Sequence, residues 1–187
     1  MTSTAIIIEN CCMTTHSLPL LMTASVSTRG MKGARYTDEE RERMYVEALT
    51  FYIHHLLRAD PQQVIVFVEN SGWDLQRIQR LLPPFDHARL DFISLPPDAF
   101  DVSQGKGYNE LLLINMAVEC SAFIWEAGAF FKVTGRYPIF NLALFIAEAA
   151  EAINRGAVWY CDVKDHRFLT GFIWAGVDIP LMPDCLA

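Results

Sequence analysis

The chain has 187 residues, of which 52% are hydrophobic and 20% charged, and its formal net charge is −7. This length suits a single domain, and the composition indicates a compact globular protein rather than a disordered one. The acidic balance disfavours nucleic acid or an anionic membrane as the main partner, because either would require a broad basic face.

The sequence also lacks the marks of a membrane-spanning or secreted protein. No stretch reaches the roughly 18 uninterrupted apolar residues that a membrane span needs, and no basic residue precedes the apolar run at the N-terminus, as a signal peptide would require. The five cysteines follow no Cys-x-x-Cys pattern, and the five histidines show no metal-ligand spacing. We therefore predict a cytoplasmic protein without a transmembrane segment; peripheral membrane association and the oligomeric state stay open.

The first predicted element is a strand at Ala5–Ile8, a short β-branched run. A polar loop at about 13–35 follows, and connections of that length in compact domains are often functional or mobile. Thr37 and Glu40 then form a capping box, which predicts a helix that begins there and runs to about Leu57.

Strands and helices alternate through the rest of the chain. The further predicted strands are Gln63–Val68, Leu90–Leu95, Phe130–Thr134 and Ala157–Val163. The further predicted helices are Asp74–Leu82, Tyr108–Phe123 and a segment from Pro138 to near Gly156. This alternation predicts a single α/β domain over 1–187, a three-layer sandwich with a mostly parallel sheet and an irregular C-terminal tail at about 168–187.

Polar residues cluster where these predicted strands end. Ligands of open α/β sheets bind beyond the carboxyl ends of the strands, so we expect the clusters to converge on one edge of the sheet. The clusters are Glu69-Asn70-Ser71-Gly72; Gly105-Lys106-Gly107-Tyr108 with Glu110; Lys132 with Thr134-Gly135-Arg136-Tyr137; and Asp162.

Each cluster also has a plainer interpretation. Asn70-Ser71-Gly72 is a typical turn composition, and the glycines around Lys106, which lack the Walker spacing, need only permit a tight turn. Arg136 suits either a surface carboxylate or a diphosphate, which its two-pronged donor geometry matches. Lys132, inside an apolar strand, needs an anion, either a glutamate partner or a bound phosphate. Asp162 is either a ligand for a divalent cation or a solvated strand end.

Together these motifs resemble a family of bacterial glycosyltransferase-like proteins found among genes for surface polysaccharide synthesis. The match spans about residues 4–165. It is carried by Asp38, Arg41 and Tyr45; by Glu69–Gly72; by Gly105–Tyr108 with Glu110; and by Lys132 with Thr134–Tyr137, followed by Asn141. The resemblance implies a GT-A-like nucleotide-diphosphosugar transferase fold, with a nucleotide-sugar donor and a glycan or lipid-linked acceptor.

Within that hypothesis some charged residues act on the leaving group and others act on the acceptor. Lys106, Lys132 and Arg136 would stabilise the charge of the leaving diphosphate. Glu69 or Glu110 would deprotonate the acceptor hydroxyl, and Asp162 is the candidate ligand for Mn²⁺ or Mg²⁺. The other residues of the clusters would bind the substrate: Asn70, Ser71, Gly72, Gly105, Gly107, Tyr108, Thr134, Gly135 and Tyr137.

Two other classes of function compete with this hypothesis. The first is a non-catalytic nucleotide-sugar-binding or scaffold protein with a degenerate transferase fold, which would bind nucleotide without turnover or would expose an apolar patch. The second is a Rossmann-type oxidoreductase, which is disfavoured because no G-x-G-x-x-G follows the first predicted strand.

Overall fold

A computed structural model describes residues 17–28, 34–157, 159–161, 163–164, 167–168 and 173–177. Its main sheet has six strands in the order β3-β2-β1-β4-β8-β5. These strands are β1 (Leu20–Ala24), β2 (Ile65–Glu69), β3 (Leu90–Ser94), β4 (Ala129–Thr134), β5 (Trp159–Cys161) and β8 (Ile173–Val177). A separate antiparallel pair is formed by β6 (Val163–Lys164) and β7 (Arg167–Phe168).

Helices cover both faces of this sheet. They are α1 (Asp38–Tyr52), which continues as a π-helical turn over Ile53–Leu57, α2 (Leu75–Leu81), α3 (Lys106–Cys120), α4 (Ala122–Ala127) and α5 (Leu142–Asn154). One apolar core packs the sheet against α1, α2 and α5, and a second core packs the other face against α3 and α4. The predicted three-layer α/β sandwich is therefore confirmed, whereas its GT-A-like identity stays a prediction.

Helix α1 begins where the sequence predicts. The Glu40 amide donates to the Thr37 hydroxyl at 3.2 Å, and the Thr37 amide donates to the Glu40 carboxylate at 2.8 Å, so the capping box is confirmed. The helix buries Tyr45, Ala48, Leu49 and Tyr52 against the sheet, at the spacing of one helical face. This face carries much of the candidate site described below.

The central strand β1 lies inside the segment at about 13–35 that is predicted to be a polar loop, and that prediction is wrong for Leu20–Ala24. All five residues of β1 are buried, and the strand pairs in parallel with both β2 and β4. A strand buried on both faces needs no alternation of polar and apolar residues, so a five-residue run is easily overlooked. The predicted strand at Ala5–Ile8 lies outside the described residues.

The tail at about 168–187 is also not irregular throughout, because β8 lies within it and fits between β4 and β5. It runs antiparallel to both of these neighbours, while β3, β2, β1 and β4 are mutually parallel. Because β8 is not part of a strand–helix–strand unit, the alternation of strands and helices along the chain does not predict it.

The strand order places a natural binding position between β1 and β4. The chain leaves β1 towards α1 on one face, and it reaches β4 through α3 and α4 on the other face. In open α/β sheets, ligands bind at such a reversal, outside the carboxyl ends of the strands. We call the ends of β1, β2 and β4, with the residues that follow them, the rim.

Candidate functional site

A buried ion pair lies at the rim between β4 and α3. The ammonium of Lys132, whose side chain is fully buried, lies 2.5 Å from an Oε1 oxygen of Glu110. The Thr23 hydroxyl on β1 donates to the same oxygen at 2.7 Å. Burial lowers the pKa of Lys132, and the Glu110 charge opposes that effect. Of the two anions considered for Lys132, the structure supplies the glutamate.

Oε2, the second oxygen of Glu110, receives no hydrogen bond from any described residue, and 28% of the side chain is exposed. We call Oε2 the open oxygen. A carboxylate that is held through one oxygen and open at the other can accept a proton or a hydroxyl group from a ligand.

Arg136 follows β4 and carries a buried donor. Its Nε lies out of contact with solvent and meets no hydrogen-bond acceptor in the part of the chain that the structure describes. Among the described residues the guanidinium forms no ion pair, and its Cζ lies 5.5 Å from the centre of the Tyr137 ring. Leaving a buried donor unsatisfied costs about 1–3 kcal/mol, so an acceptor brought by a ligand would be stabilising.

Gly135 allows the turn after β4 to approach its neighbours closely. Its amide donates to the Thr23 carbonyl at 3.0 Å. A Cβ atom at this position would lie 3.0 Å from that carbonyl oxygen and 3.3 Å from the Tyr45 ring. No larger residue fits there without moving the turn that carries Arg136.

We expect Gly135→Ala to lower the free energy of unfolding by about 1–3 kcal/mol, because the added methyl group overlaps backbone and ring atoms. Gly107→Ala is the matched control, since no atom lies within 4 Å of the added Cβ. Its position in the first turn of α3 predicts a gain smaller than the roughly 0.5–1 kcal/mol expected in the middle of a helix. Urea unfolding of the two variants measures both values, and equal effects would contradict the proposed crowding at Gly135.

The residues after β1, Ser25–Thr28, form what we call the first-strand loop. Each of its backbone amides donates to a side chain from another element. In chain order the acceptors are the Tyr45 hydroxyl (3.0 Å), a Glu69 carboxylate oxygen (3.0 Å), the Ser71 hydroxyl (2.8 Å) and an Asp38 carboxylate oxygen (2.7 Å). The loop is therefore fixed from two sides, and its amides are already occupied.

Helix α1 holds the loop through the face that contains Asp38, Arg41 and Tyr45. Residues three and seven positions apart share one side of a helix. The Arg41 Nε donates to the Ser25 carbonyl at 2.9 Å. Hydrogen bonds, chiefly from the Thr28 amide, lower the pKa of Asp38. Asp38, Arg41 and Tyr45, the first motif of the resemblance, therefore hold the first-strand loop in place.

Glu69 holds the loop from the other side. It is fully buried; one oxygen accepts from the amides of Val26 (3.0 Å) and Ser71 (2.9 Å) and from the Ser71 hydroxyl. The other oxygen accepts from the Trp73 amide at 3.0 Å. The neighbouring Asn70 side chain accepts from the Ser25 hydroxyl. Both oxygens of Glu69 are thus engaged, which distinguishes it from Glu110.

Two predicted glycines occupy turns that require glycine-like backbone. Gly72 has φ +77° and Gly105 has φ +86°, a region that other residues enter at a cost. The turn interpretation therefore accounts for both of them. Lys106 and Gly107 are exposed in the first turn of α3, and Tyr108 is half-buried. This segment joins the rim through Glu110 on the same helix.

Tyr52 ties the turn after β4 to α1. Its buried hydroxyl donates to the Tyr137 carbonyl at 2.9 Å and accepts from the Ile139 amide at 3.1 Å. Burial raises the pKa of Tyr52 to about 12, an effect that the Ile139 amide opposes. Burial also raises the pKa of Tyr45.

We expect the protein to lose stability as the pH rises from 10 towards 12. In the unfolded chain the pKa of Tyr52 is the ordinary tyrosine value of 10.0, whereas in the folded chain it is about 12. The stabilisation is therefore complete below pH 10, and Tyr52 alone accounts for a loss of about 2–3 kcal/mol by pH 12. Urea unfolding at pH 9 and 11 tests this, and an equally steep decline in Tyr52→Phe would contradict the assignment.

Thr23 and Ser25 of the rim, and Tyr52, which contacts the rim from α1, are absent from the residues that the sequence predicts. Thr23 lies on β1 and Ser25 follows it, and the sequence does not predict that strand. The apolar run at Leu20–Met22, followed directly by Thr-Ala-Ser, was the available signal. Tyr52 gives no such signal, because its partners are backbone groups distant in the chain.

The predicted metal ligand Asp162 lies outside the described residues. Within them, no group of three or more His, Cys, Asp or Glu side chains is arranged to hold a metal ion, so the Mn²⁺ or Mg²⁺ site stays a prediction. Cavities of 270 and 440 Å³ lie near the amino-terminal ends of the strands, and neither is lined by a rim residue. We place the candidate site at the rim because the unpartnered Nε of Arg136 and the open oxygen of Glu110 lie there.

No family model matches the sequence, and no curated protein or solved structure matches it. Within the described ranges, no helix combines the length and apolar character that crossing a membrane requires.

Proposed function

We propose that the protein is a GT-A-like glycosyltransferase that moves a sugar from a nucleoside diphosphate donor to a glycan or lipid-linked acceptor in surface polysaccharide synthesis, in the cytoplasm. The observation that carries the proposal is that two reactive side chains accompany the rim: an arginine whose buried Nε has no acceptor among the described residues, and a glutamate with one open oxygen. Sugar transfer needs both a cation for the leaving group and a base for the acceptor hydroxyl.

The charges of both groups act on one buried hydroxyl. Burial is the main influence on the pKa of the Tyr45 hydroxyl, followed by the hydrogen bond from the Ser25 amide, and the charges of Arg41, Arg136 and Glu110 also shift that pKa. Tyr45 also contacts Gly135, which joins Arg136 to the end of β4. This supports a site in which Arg136 and Glu110 face one ligand.

Arg136 is the proposed ligand for the diphosphate. Its guanidinium can form two parallel hydrogen bonds to phosphate oxygens, and the buried Nε would gain an acceptor in the process. Lys106, exposed in the first turn of α3, is the proposed second cation. Lys132 contacts Glu110, so its proposed contribution is to orient that carboxylate.

Glu110 is the proposed base, in preference to Glu69. The acceptor hydroxyl gives its proton to the open Oε2 while Lys132 and Thr23 hold Oε1 in place. The acceptor oxygen bonds to the anomeric carbon, and the bond from that carbon to the diphosphate breaks. The electron pair leaves with the diphosphate, whose charge Arg136 stabilises. Asp162 remains the candidate ligand for Mn²⁺ or Mg²⁺, and none of these steps depends on it.

A thermal-shift panel of UDP-, GDP- and dTDP-sugars, with and without Mn²⁺, tests this proposal, and CMP-sugars serve as the single-phosphate comparison. We expect at least one diphosphate donor to raise Tm, and Arg136→Ala to remove the increase. Arg155→Ala is the matched control, because Arg155 forms an exposed pair with Glu151 at the end of α5. A folded protein whose Tm responds to no donor would contradict the proposal.

A non-catalytic nucleotide-sugar-binding or scaffold protein is the second candidate, and one observation favours it. Phe140 is 89% exposed and Leu144 66% exposed beside the turn after β4, which is the kind of apolar patch that this alternative predicts. Release of nucleoside diphosphate from a donor distinguishes the two candidates. Turnover that Glu110→Gln abolishes supports the transferase, and binding without turnover supports the alternative.

A further inference from the structure

We propose that Tyr52 is a positioning residue that sets where the Arg136 guanidinium stands. Tyr52 lies on α1, 85 residues before Tyr137 in the chain. It acts through the backbone on the C-terminal side of Arg136. The identity of the ligand, a nucleoside diphosphate, rests on the proposed function. The positioning of Arg136 by Tyr52 does not.

One helix anchors the turn on both sides of Arg136. Before Arg136, the Tyr45 ring packs against Gly135, where an added Cβ would lie 3.3 Å from ring atoms. After it, the Tyr52 hydroxyl bridges the Tyr137 carbonyl and the Ile139 amide. The two tyrosines are seven residues apart on α1, which corresponds to about 10 Å along the helix axis. Arg136 lies between these two anchors.

Two side chains also hold the second half of the turn: Ile139 packs against the apolar core, and the Phe140 ring packs edge-on against Phe51 with centroids 5.2 Å apart. Tyr137 is 43% exposed and Phe140 is 89% exposed. The bridge from Tyr52 reaches two backbone groups at once, and its hydroxyl both donates and accepts. Removing that hydroxyl leaves both backbone groups without this partner, which frees the turn to shift. A displacement of about 1 Å is enough to spoil a two-pronged contact to phosphate.

The test compares Tyr52→Phe with the unsubstituted protein. The variant keeps the ring, which packs edge-on against Phe51 with centroids 5.4 Å apart, and loses only the hydroxyl. The readout is hydrogen exchange of the Arg136 Nε–H, followed by ¹H–¹⁵N NMR and assigned through its absence in Arg136→Ala. We expect Tyr52→Phe to speed this exchange about tenfold or more. Tyr36→Phe, on the segment before α1, is the matched control and is expected to leave the exchange unchanged.

A second readout asks whether Tyr52 acts through Arg136. We expect Tyr52→Phe to weaken binding of UDP or the preferred nucleoside diphosphate about three- to tenfold, and to weaken it no further when Arg136→Ala is already present. A purely structural role would instead lower affinity in both backgrounds. Far-UV circular dichroism first confirms that each variant is folded, and Tyr52→Met replaces Tyr52→Phe if the latter does not fold.

The outcomes separate this inference from the proposed function. Unchanged Nε–H exchange in folded Tyr52→Phe overturns the positioning role of Tyr52. Faster exchange supports that role even in a protein that binds no nucleoside diphosphate, and the missing affinity then counts against the proposed function alone. Additive losses of affinity in the double variant also overturn the inference.

Discussion

Glu110→Gln is expected to lower the free energy of unfolding by about 2–4 kcal/mol, although Glu110 is partly exposed. The substitution removes the carboxylate that lies 2.5 Å from the Lys132 ammonium, and that ammonium is fully buried. Breaking a buried ion pair from one side is costly because the remaining charge keeps its desolvation penalty. Urea unfolding measures the change.

The sharper form of this prediction is a double-mutant cycle with Lys132→Met. Methionine carries no charge into the core, so adding Lys132→Met to Glu110→Gln is expected to restore part of the lost stability. Glu119→Gln, on the exposed end of the same helix, is the matched control and is expected to change stability by less than about 0.5 kcal/mol. Strictly additive effects of the two substitutions would show that Lys132 and Glu110 are not coupled.

Glu69→Gln is expected to be the second large change, at about 2–4 kcal/mol. The carboxylate accepts from the amides of Val26, Ser71 and Trp73, and glutamine would turn an N–H₂ group towards some of these donors. Faster hydrogen exchange at the Val26 and Trp73 amides should accompany the loss of stability, because the first-strand loop depends on this side chain.

The same variant also distinguishes two roles for Glu69. If Glu69 were the base, as the sequence analysis allows, Glu69→Gln would abolish transfer while leaving stability and amide exchange nearly unchanged. If Glu69 positions the loop, Glu69→Gln lowers the stability and speeds amide exchange. Glu47→Gln, on the exposed side of α1, is the control for removing a surface carboxylate.

Much of the fold can be predicted from local signals. The capping box at Thr37 and Glu40 is local, and it marks the start of α1 correctly. The Val/Ile/Phe run that precedes Glu69 is long enough to identify β2, and Phe130–Thr134 identifies β4 almost residue for residue. The errors fall on β1 and β8, whose short runs are stabilised by neighbours on both sides rather than by their own pattern.

The candidate site, like the fold, can be predicted from the sequence only in part. Polar residues at strand ends can be located from sequence, because parallel strands bring their carboxyl ends together. The different roles of Glu69 and Glu110 cannot be predicted from sequence. They depend on which carboxylate accepts hydrogen bonds from the backbone amides of the first-strand loop. Likewise, the sequence allows either a glutamate or a phosphate as the partner of Lys132. The position of α3 beside β4 identifies that partner as Glu110.

The most direct test of the rim as a diphosphate site is calorimetric titration with UDP, GDP, CDP and dTDP alongside the matching nucleosides. The unsubstituted protein is expected to bind at least one diphosphate, and Arg136→Ala to weaken that affinity about ten- to hundredfold without changing nucleoside binding. Arg155→Ala should bind like the unsubstituted protein. Diphosphate affinity that survives Arg136→Ala unchanged, or that is missing from the folded protein altogether, would contradict a diphosphate site at the ends of β1 and β4.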